Sequence, residues 1–286
     1  MTTETSQNSI ASLLVQLGGQ FASFSDSAKL DAQILICHAI GKSRSYCLTW
    51  PEYQLSDAEA EKLNEMVKRR LAHEPIAYII GSKEFWSLEL EVEPSTLIPR
   101  PDTEVLVELI LDLKQDTKID VLDLGTGTGA IALALASEQP NWLVTAVDYS
   151  QNAVSLATRN RDKFQLSNVT VKQSDWFKNI DEKYDVIVSN PPYIDERDPH
   201  LSQGDVQFEP SSALIASNNG FADIEHIIEL GRDYLTAEGL MAFEHGYEQG
   251  EGVRQLFERF GYINATTVKD YNNNDRVTYA YYPGDK

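Results

Sequence analysis

Apolar residues in the first part of the chain recur at the spacing of amphipathic helices. This spacing predicts helices over residues 10–17, 30–41 and 56–71, and a short final helix over 74–80. Gly18-Gly19 is expected to end the first helix, and Ser56 with Glu59 has capping-box spacing at the start of the third. Because no strand pattern interrupts them, residues 1–80 are predicted to form a small all-α domain.

Residues 81–102 change to the period of two that is typical of strands. Trp86, Leu88, Leu90 and Val92 alternate with polar residues, and a proline-rich stretch follows them. The pattern predicts a β-hairpin that links the helical domain to the rest of the chain.

From residue 103 to residue 286, short apolar runs alternate with helical patterns. The expected strands are residues 120–124, 143–148, 169–173, 186–190, 240–245, 263–268 and 276–282. The expected helices are residues 104–113, 131–138, 151–164, 221–235 and 248–260. This alternation predicts an α/β domain with a seven-stranded, mostly parallel, Rossmann-like sheet. Residues 194–219 show no pattern, and a loop of that length in a compact domain is usually functional or mobile.

Composition narrows the class of protein. The 24 basic and 44 acidic residues give a net charge of −20, which disfavours a general nucleic-acid binder because such proteins neutralise phosphates with a basic surface. The N-terminus has no secretory pattern, and no apolar run is long enough to span a membrane. The two cysteines and scattered histidines form no zinc motif, so no metal site is expected. We expect a soluble cytoplasmic protein.

A glycine-rich segment follows the first predicted strand of the α/β domain. The sequence from Asp123 to Ala130 reads DLGTGTGA, and Asp148 ends the next strand. Glycines allow the backbone to approach a ligand closely, and an acid at that place can accept hydrogen bonds from both ribose hydroxyls. The pair predicts an adenosine-containing cofactor but leaves NAD and S-adenosylmethionine both open. Asp123 either orients the cofactor or holds the loop.

The tetrapeptide Asn190-Pro191-Pro192-Tyr193 ends the fourth predicted strand. The Asn190 side chain and the Pro191 carbonyl offer two acceptors for one NH₂ group, and Tyr193 can cover a planar group. Such an arrangement suits methyl transfer to an amide or aromatic amine, whose delocalised lone pair makes it a poor nucleophile.

With these motifs, the sequence resembles class I S-adenosylmethionine-dependent methyltransferases and, more narrowly, the protein-(glutamine-N5) methyltransferases of release factors, the PrmC/HemK family. Further matching segments are His73–Gly81, Ile98–Glu104, Phe208–Leu214 and Asp275–Val277. The resemblance implies transfer of a methyl group from S-adenosylmethionine, leaving S-adenosylhomocysteine, to the glutamine of the Gly-Gly-Gln motif. It implies that residues 1–80 help to recognise the release factor.

The resemblance also implies roles for individual residues. The implied cofactor-binding residues are Gly125, Thr126, Gly127, Thr128, Gly129, Asp148, Trp176 and Asn190. Asn190, Pro191, Pro192 and Tyr193 are implied to bind the substrate, and Asn190, Pro191 and Tyr193 to act in catalysis.

Three other functions are weighed against this one. A nucleic-acid amino methyltransferase, acting on adenine N6 or guanine N2, shares the chemistry but fits the negative charge poorly. An NAD dehydrogenase leaves residues 190–193 unexplained, and a non-catalytic scaffold conflicts with the intact motifs. We expect a monomer without a direct nucleic-acid partner. Arg100 and Glu104 either bind a ligand or form a salt bridge, and His245 is expected to be a structural histidine.

Overall fold

The computed structural model describes residues 8–115 and 118–284, which cluster into two compact units. The first unit contains residues 8–81 together with Pro199–Phe208, and the second contains Ser82–Asp198 and the residues from Glu209 onward. Within the described ranges, no helix combines the length and apolarity needed to cross a bilayer.

The first unit is built from helices around its own apolar core. Its helices are α1 (Ile10–Phe21), α2 (Ala28–Ile40), α3 (Arg44–Thr49), α4 (Asp57–Leu71) and α5 (Ile76–Ile80). The predicted capping box of α4 is present, with both Ser56 and Glu59 bonded to the backbone. Helix α3 was not predicted, because six residues are too few to show a helical period.

The expectation that Gly18-Gly19 ends the first helix is wrong. Helix α1 continues to Phe21, and Gly18 is buried where an added Cβ would lie 3.4 Å from Cγ of Lys29 on α2. The glycine therefore lets the two helices approach closely instead of ending one of them.

A buried arginine connects the segment Pro199–Phe208 to the helices of the first unit. Arg70 forms a 2.9 Å ion pair with buried Asp31 and a 3.2 Å ion pair with Asp205 of that segment. Part of the unpatterned stretch 194–219 is therefore folded into the helical unit.

The second unit begins with a hairpin and continues as an α/β sheet. Its strands are β1 (Ser82–Phe85), β2 (Leu88–Glu91), β3 (Asp120–Leu124), β4 (Leu143–Asp148), β5 (Val169–Gln173), β6 (Tyr184–Ser189), β7 (Leu235–Glu244), β8 (Ile263–Lys269) and β9 (Asp275–Tyr281). Its helices are α6 (Glu104–Leu113), α7 (Ala130–Glu138), α8 (Gln151–Lys163), α9 (Ser217–Gly220), α10 (Ala222–Gly231) and α11 (Gly250–Arg259). Strands β1 and β2 pair antiparallel through a two-residue turn, as the hairpin prediction requires.

The seven-stranded sheet has the order β5-β4-β3-β6-β7-β9-β8. All pairings are parallel except those of β9 with β7 and β8. Val121 and Leu122 enter different apolar cores, since successive side chains point to opposite faces of a strand. The predicted mostly parallel sheet is confirmed.

Two neighbouring predicted boundaries in the second unit are wrong. The helix expected over 221–235 ends at Gly231 and is followed by a 3₁₀ turn, and β7 begins at Leu235 instead of residue 240. The irregular pairing between β6 and β7 near Tyr184 explains why the start of β7 lacks a clean strand pattern.

Candidate active site

Strand register aligns the candidate functional residues in one row at the carboxyl edge of the sheet. Leu124 pairs with both Val147 and Ser189, and Ser189 pairs with Phe243. The next residues along these four strands are Gly125, Asp148, Asn190 and Glu244. Because the chain order reverses between β3 and β6, this row lies at a topological switch point, where open α/β sheets bind ligands.

The glycine loop after β3 has a backbone that only glycine adopts readily. Gly125, Gly127 and Gly129 have φ values of 70°, 55° and 88°, in the left-handed region. An added Cβ on Gly127 would meet only the Thr96 side chain, at 3.9 Å, so the loop backbone lies open toward the cavity.

Asp123 stabilises the glycine loop through a hydrogen bond. The Thr126 hydroxyl donates a 2.6 Å hydrogen bond to Asp123 Oδ2, and burial raises the pKa of Asp123 to about 7. These contacts favour the loop-holding role over direct cofactor contact, and Asp123 does not line the cavity among the described residues.

Asp148 joins the glycine loop to the end of β4. Its Oδ2 accepts a 2.9 Å hydrogen bond from the Gly127 amide, and its Oδ1 accepts one of 2.8 Å from the Ser150 amide. Burial raises the pKa of Asp148, while these two amides act in the opposite direction. Each carboxylate oxygen has a second lone pair, so a diol can still be bound there.

Trp176 is held beside the loop by an unusual backbone conformation. Its φ is 49°, and the buried Ser174 hydroxyl donates a 2.6 Å hydrogen bond to its carbonyl. The indole ring lies 3.6 Å from the position of an added Cβ on Gly125. The ring therefore forms a flat wall of the cavity next to the glycine loop.

Residues 190–193 follow the end of β6, and their side chains lie in different environments. Asn190 and Pro192 line the cavity, whereas Pro191 and Tyr193 are not among its described lining residues. Asn190 Nδ2 donates a 3.3 Å hydrogen bond to Thr103 Oγ1. The Tyr193 hydroxyl donates to Glu244 Oε1 at 3.2 Å, and burial raises the pKa of Tyr193.

The cavity has a volume of about 360 Å³, within the usual range for small-molecule sites, and all its lining residues belong to the second unit. Of the predicted cofactor-binding residues, it brings together Gly125, Thr126, Gly127, Thr128, Asp148, Trp176 and Asn190, whereas Gly129 is not among its described lining residues. Ser95, which also lines it, has a buried hydroxyl without a hydrogen-bond partner among the described residues. An open glycine backbone, a carboxylate for a diol and an aromatic wall fit an adenosine-containing group.

Arg100 and Glu104 both make structural contacts. Arg100 forms a 2.6 Å ion pair with Glu209, which also accepts a hydrogen bond from the Ile98 amide, and this pair ties the loop after β6 to the segment before α6. Glu104 accepts a 3.0 Å hydrogen bond from the Trp86 amide. The salt bridge considered for Arg100 therefore has Glu209 as its partner.

His245 has both ring nitrogens engaged. Nε2 lies 2.7 Å from Thr278 Oγ1 and Nδ1 lies 2.8 Å from the Gly246 carbonyl oxygen. Burial lowers its pKa to about 4, so the ring is neutral near pH 7. These contacts agree with the expected structural histidine.

Thr103, Ser174 and Glu244 are among the residues around the site that sequence patterns missed. Glu244 could have been noticed, because it is an acid at the carboxyl end of a strand adjacent to β6. No sequence signal marks Thr103, which lies in a 3₁₀ turn far from Asn190 along the chain.

Comparisons with known proteins point to one family. Residues 12–81 match the family described as PrmC N-terminal domain, and residues 101–218 match the Methyltransferase small domain. The chain is 56% identical over 256 residues to the release factor glutamine methyltransferase of Aliivibrio fischeri, covering 89% of this chain and 90% of that protein. It is 50% identical over 279 residues to the one of Shewanella oneidensis, covering 97% and 98%. A solved methyltransferase from Pyrococcus furiosus, 21% identical, shares the fold with a TM-score of 0.54 over 78% of this chain and 100% of that one.

Proposed function

The chain belongs to the release factor glutamine methyltransferase family, and from this premise we propose that it methylates the side-chain amide nitrogen of a release-factor glutamine with S-adenosylmethionine as donor. The proposed target is the glutamine of the Gly-Gly-Gln motif.

The proposed donor site is the cavity beside the glycine loop. Gly125 to Thr128 would lie against the donor, Asp148 would accept hydrogen bonds from the ribose hydroxyls, and Trp176 would contact the adenine. When bound, S-adenosylmethionine supplies an electrophilic methyl group on a sulfonium centre. Support for this assignment comes from the fit of the cavity and from its adjacency to Asn190.

The single observation that carries the function is the position of Asn190 beside the glycine loop. Strands β3 and β6 are hydrogen-bonded neighbours, and Asn190 follows the residue that pairs with Leu124. Its Nδ2 is directed to Thr103, which leaves Oδ1 as an acceptor for a substrate NH₂ group.

We propose that Asn190 Oδ1 and the Pro191 carbonyl hold the two N–H bonds of the glutamine amide. Fixing both bonds directs the nitrogen lone pair, so positioning and electrostatics promote the attack. No charged general base is required before the transfer, because the surplus proton leaves the nitrogen only after the methyl group has bonded to it, along the hydrogen bond to the neutral acceptor Asn190 Oδ1 and on to solvent. Pro192 is proposed to border the amide, and Tyr193 to support the same turn through its bond to Glu244.

The acidic chain and the family membership both favour a protein substrate over nucleic acid. We propose that the helical unit helps to bind the release factor, that the chain acts as a monomer, and that it works in the cytoplasm with its substrate.

The test is transfer of labelled methyl groups from S-adenosylmethionine to a purified bacterial release factor. Label is expected on the wild-type factor and absent from a factor whose Gly-Gly-Gln glutamine is replaced by alanine. Equal labelling of both factors, or labelling of RNA or DNA with none on the factor, would overturn the proposal.

A further inference from the structure

A side-chain amide connects the turn at residues 190–193 to two other loops. Gln249, which immediately precedes α11, donates hydrogen bonds from Nε2 to the Tyr193 carbonyl, at 3.1 Å, and to the Asn219 carbonyl, at 3.3 Å. Its Oε1 accepts a hydrogen bond of 2.8 Å from the Gly246 amide. Both hydrogens and the oxygen of this side-chain amide are therefore engaged by backbone groups.

The three partners fix the orientation of the Gln249 amide. A backbone carbonyl only accepts and a backbone N–H only donates, so each polar atom of the amide has one possible role at this place. In the reversed orientation, Oε1 would face two carbonyl oxygens and Nε2 would face an N–H group. The hydrogen bond to the Tyr193 carbonyl therefore comes from a donor whose direction is fixed.

Two of the four residues in the turn at 190–193 are prolines, which have no N–H group to donate. The peptide bond that leaves the turn is held from both sides by other segments. Gln249 donates to the Tyr193 carbonyl, and the Ile194 amide donates a 2.9 Å hydrogen bond to the Leu214 carbonyl. Since β6 fixes the start of the turn, these two hydrogen bonds fix its end.

The loop before α10 packs against the same carbonyl. An added Cβ on Gly220, whose φ is 84°, would overlap the Tyr193 carbonyl oxygen and the Gln249 amide nitrogen. Glycine fits this position because it adopts the left-handed backbone and leaves the space that the carbonyl occupies. The Tyr193 carbonyl is therefore enclosed between Gly220 and the Gln249 amide.

We infer that Gln249 is a positioning residue that holds the Tyr193 carbonyl and thereby the turn that presents Asn190 and Pro191 to the substrate amide. It acts through the backbone of this turn, since Gln249 is not among the described lining residues of the cavity. The inference rests on the proposed function, because it requires that Asn190 and Pro191 bind the glutamine amide. It predicts that loss of the donor on Gln249 lowers turnover more than it weakens binding of either substrate.

The experiment compares Gln249→Glu with Gln249→Met in the labelled transfer assay. The glutamate keeps an oxygen for the Gly246 amide but replaces the donor with a second oxygen, which faces two carbonyls. Methionine has a similar length and removes both kinds of hydrogen bond. Each substitution is expected to lower kcat about tenfold or more, and the kcat of the glutamate variant should be no higher than that of the methionine variant.

Two further measurements separate positioning from a loss of folded protein. Calorimetric titration with S-adenosylmethionine counts the binding-competent sites, and kcat is calculated per site. The Kd for S-adenosylmethionine and the KM for the release factor should each change by less than about threefold, because the turn directs the reacting amide and contributes little to binding either whole substrate.

A matched control lies at the amino edge of the sheet. The Asn168 side-chain amide, just before β5, donates to the carbonyls of Ala136, Gln139 and Trp142, at 3.1, 3.3 and 3.2 Å. Asn168→Asp therefore makes the same chemical change, from an amide donor to an oxygen that faces carbonyls, away from the cavity. It should lower stability in urea unfolding and leave kcat per site unchanged.

The outcomes separate the two proposals. If the wild type transfers no methyl group to the release factor, the proposed function fails and this inference fails with it. With an active wild type, a lower kcat per site in both Gln249 variants and an unchanged kcat in Asn168→Asp support the positioning role.

Three results with an active wild type would overturn the positioning role alone. The first is a wild-type kcat per site in either variant; in Gln249→Glu, it would mean that the residue only closes its own turn through Gly246. The second is an equal loss of kcat in Asn168→Asp, because kcat would then report general destabilisation. The third is a Kd or KM that rises as much as kcat falls.

Discussion

Replacing Asp148 by asparagine is expected to weaken S-adenosylmethionine binding almost as much as replacing it by alanine. Both oxygens of Asp148 accept backbone amides, from Gly127 at 2.9 Å and from Ser150 at 2.8 Å. Asparagine has one oxygen, so its NH₂ group must face one of these two N–H donors. The substitution is nearly isosteric and yet breaks the link between the glycine loop and β4.

The magnitude follows from the bonds that are lost. Leaving one amide donor without an acceptor costs about 1–3 kcal/mol, and losing one hydrogen bond to the ribose costs about 1 kcal/mol more. In the free variant, the glycine loop is expected to move so that the unpaired amide reaches solvent. Binding of S-adenosylmethionine must then return the loop to its wild-type conformation, and this cost raises the Kd. A total of about 3 kcal/mol corresponds to roughly a hundredfold increase in Kd.

Isothermal calorimetry with S-adenosylmethionine measures this change directly. Asp185→Asn is the matched control, because both oxygens of Asp185 also accept hydrogen bonds, from the Asp120 amide and the Thr236 hydroxyl, away from the cavity. The control should lose stability and keep its affinity. A Kd of Asp148→Asn within about fivefold of the wild-type Kd would refute the reasoning. The glycine loop would then keep its conformation without both hydrogen bonds to Asp148.

Three further predictions concern other residues of the second unit. Asn190→Ala should lower kcat by about a hundredfold and should weaken S-adenosylmethionine binding less than that, and unchanged kcat in the labelled transfer assay would contradict the mechanism. Ser174→Ala should raise that Kd about tenfold in calorimetry, because the hydroxyl holds Trp176 in its left-handed conformation, whereas exposed Ser155→Ala should not. The pKa of buried His245 is lowered to about 4 from an ordinary 6.5, so the unfolded chain takes up a proton first as the pH falls. Relative to His245→Gln, the wild type should therefore lose about 3 kcal/mol of stability between pH 6.5 and pH 4, and a pH-independent difference in urea unfolding would argue against this.

Local patterns in the sequence determined much of the fold. The predicted bounds of β3, β4, β5 and α6 match the structure. For β3 and β4, which have a sheet neighbour on each side, the reason is that buried parallel strands form short apolar runs between clear turn signals. The glycine loop and Asp148 were also recognisable, since their chemistry depends on residues that are close in sequence or end adjacent strands. Gly18 misled the prediction, because a glycine in a helix can serve close packing as well as termination.

Only the tertiary structure decided how distant residues meet at the site. Strand register places Asn190 level with Glu244, and a turn before α6 brings Thr103 to the same amide. Likewise, Asp205 reaches the buried Arg70 of the helical unit across a long separation in sequence. Hydrogen-bond direction and burial depend on such pairings, and sequence periodicity reports only which face of its own element a residue occupies.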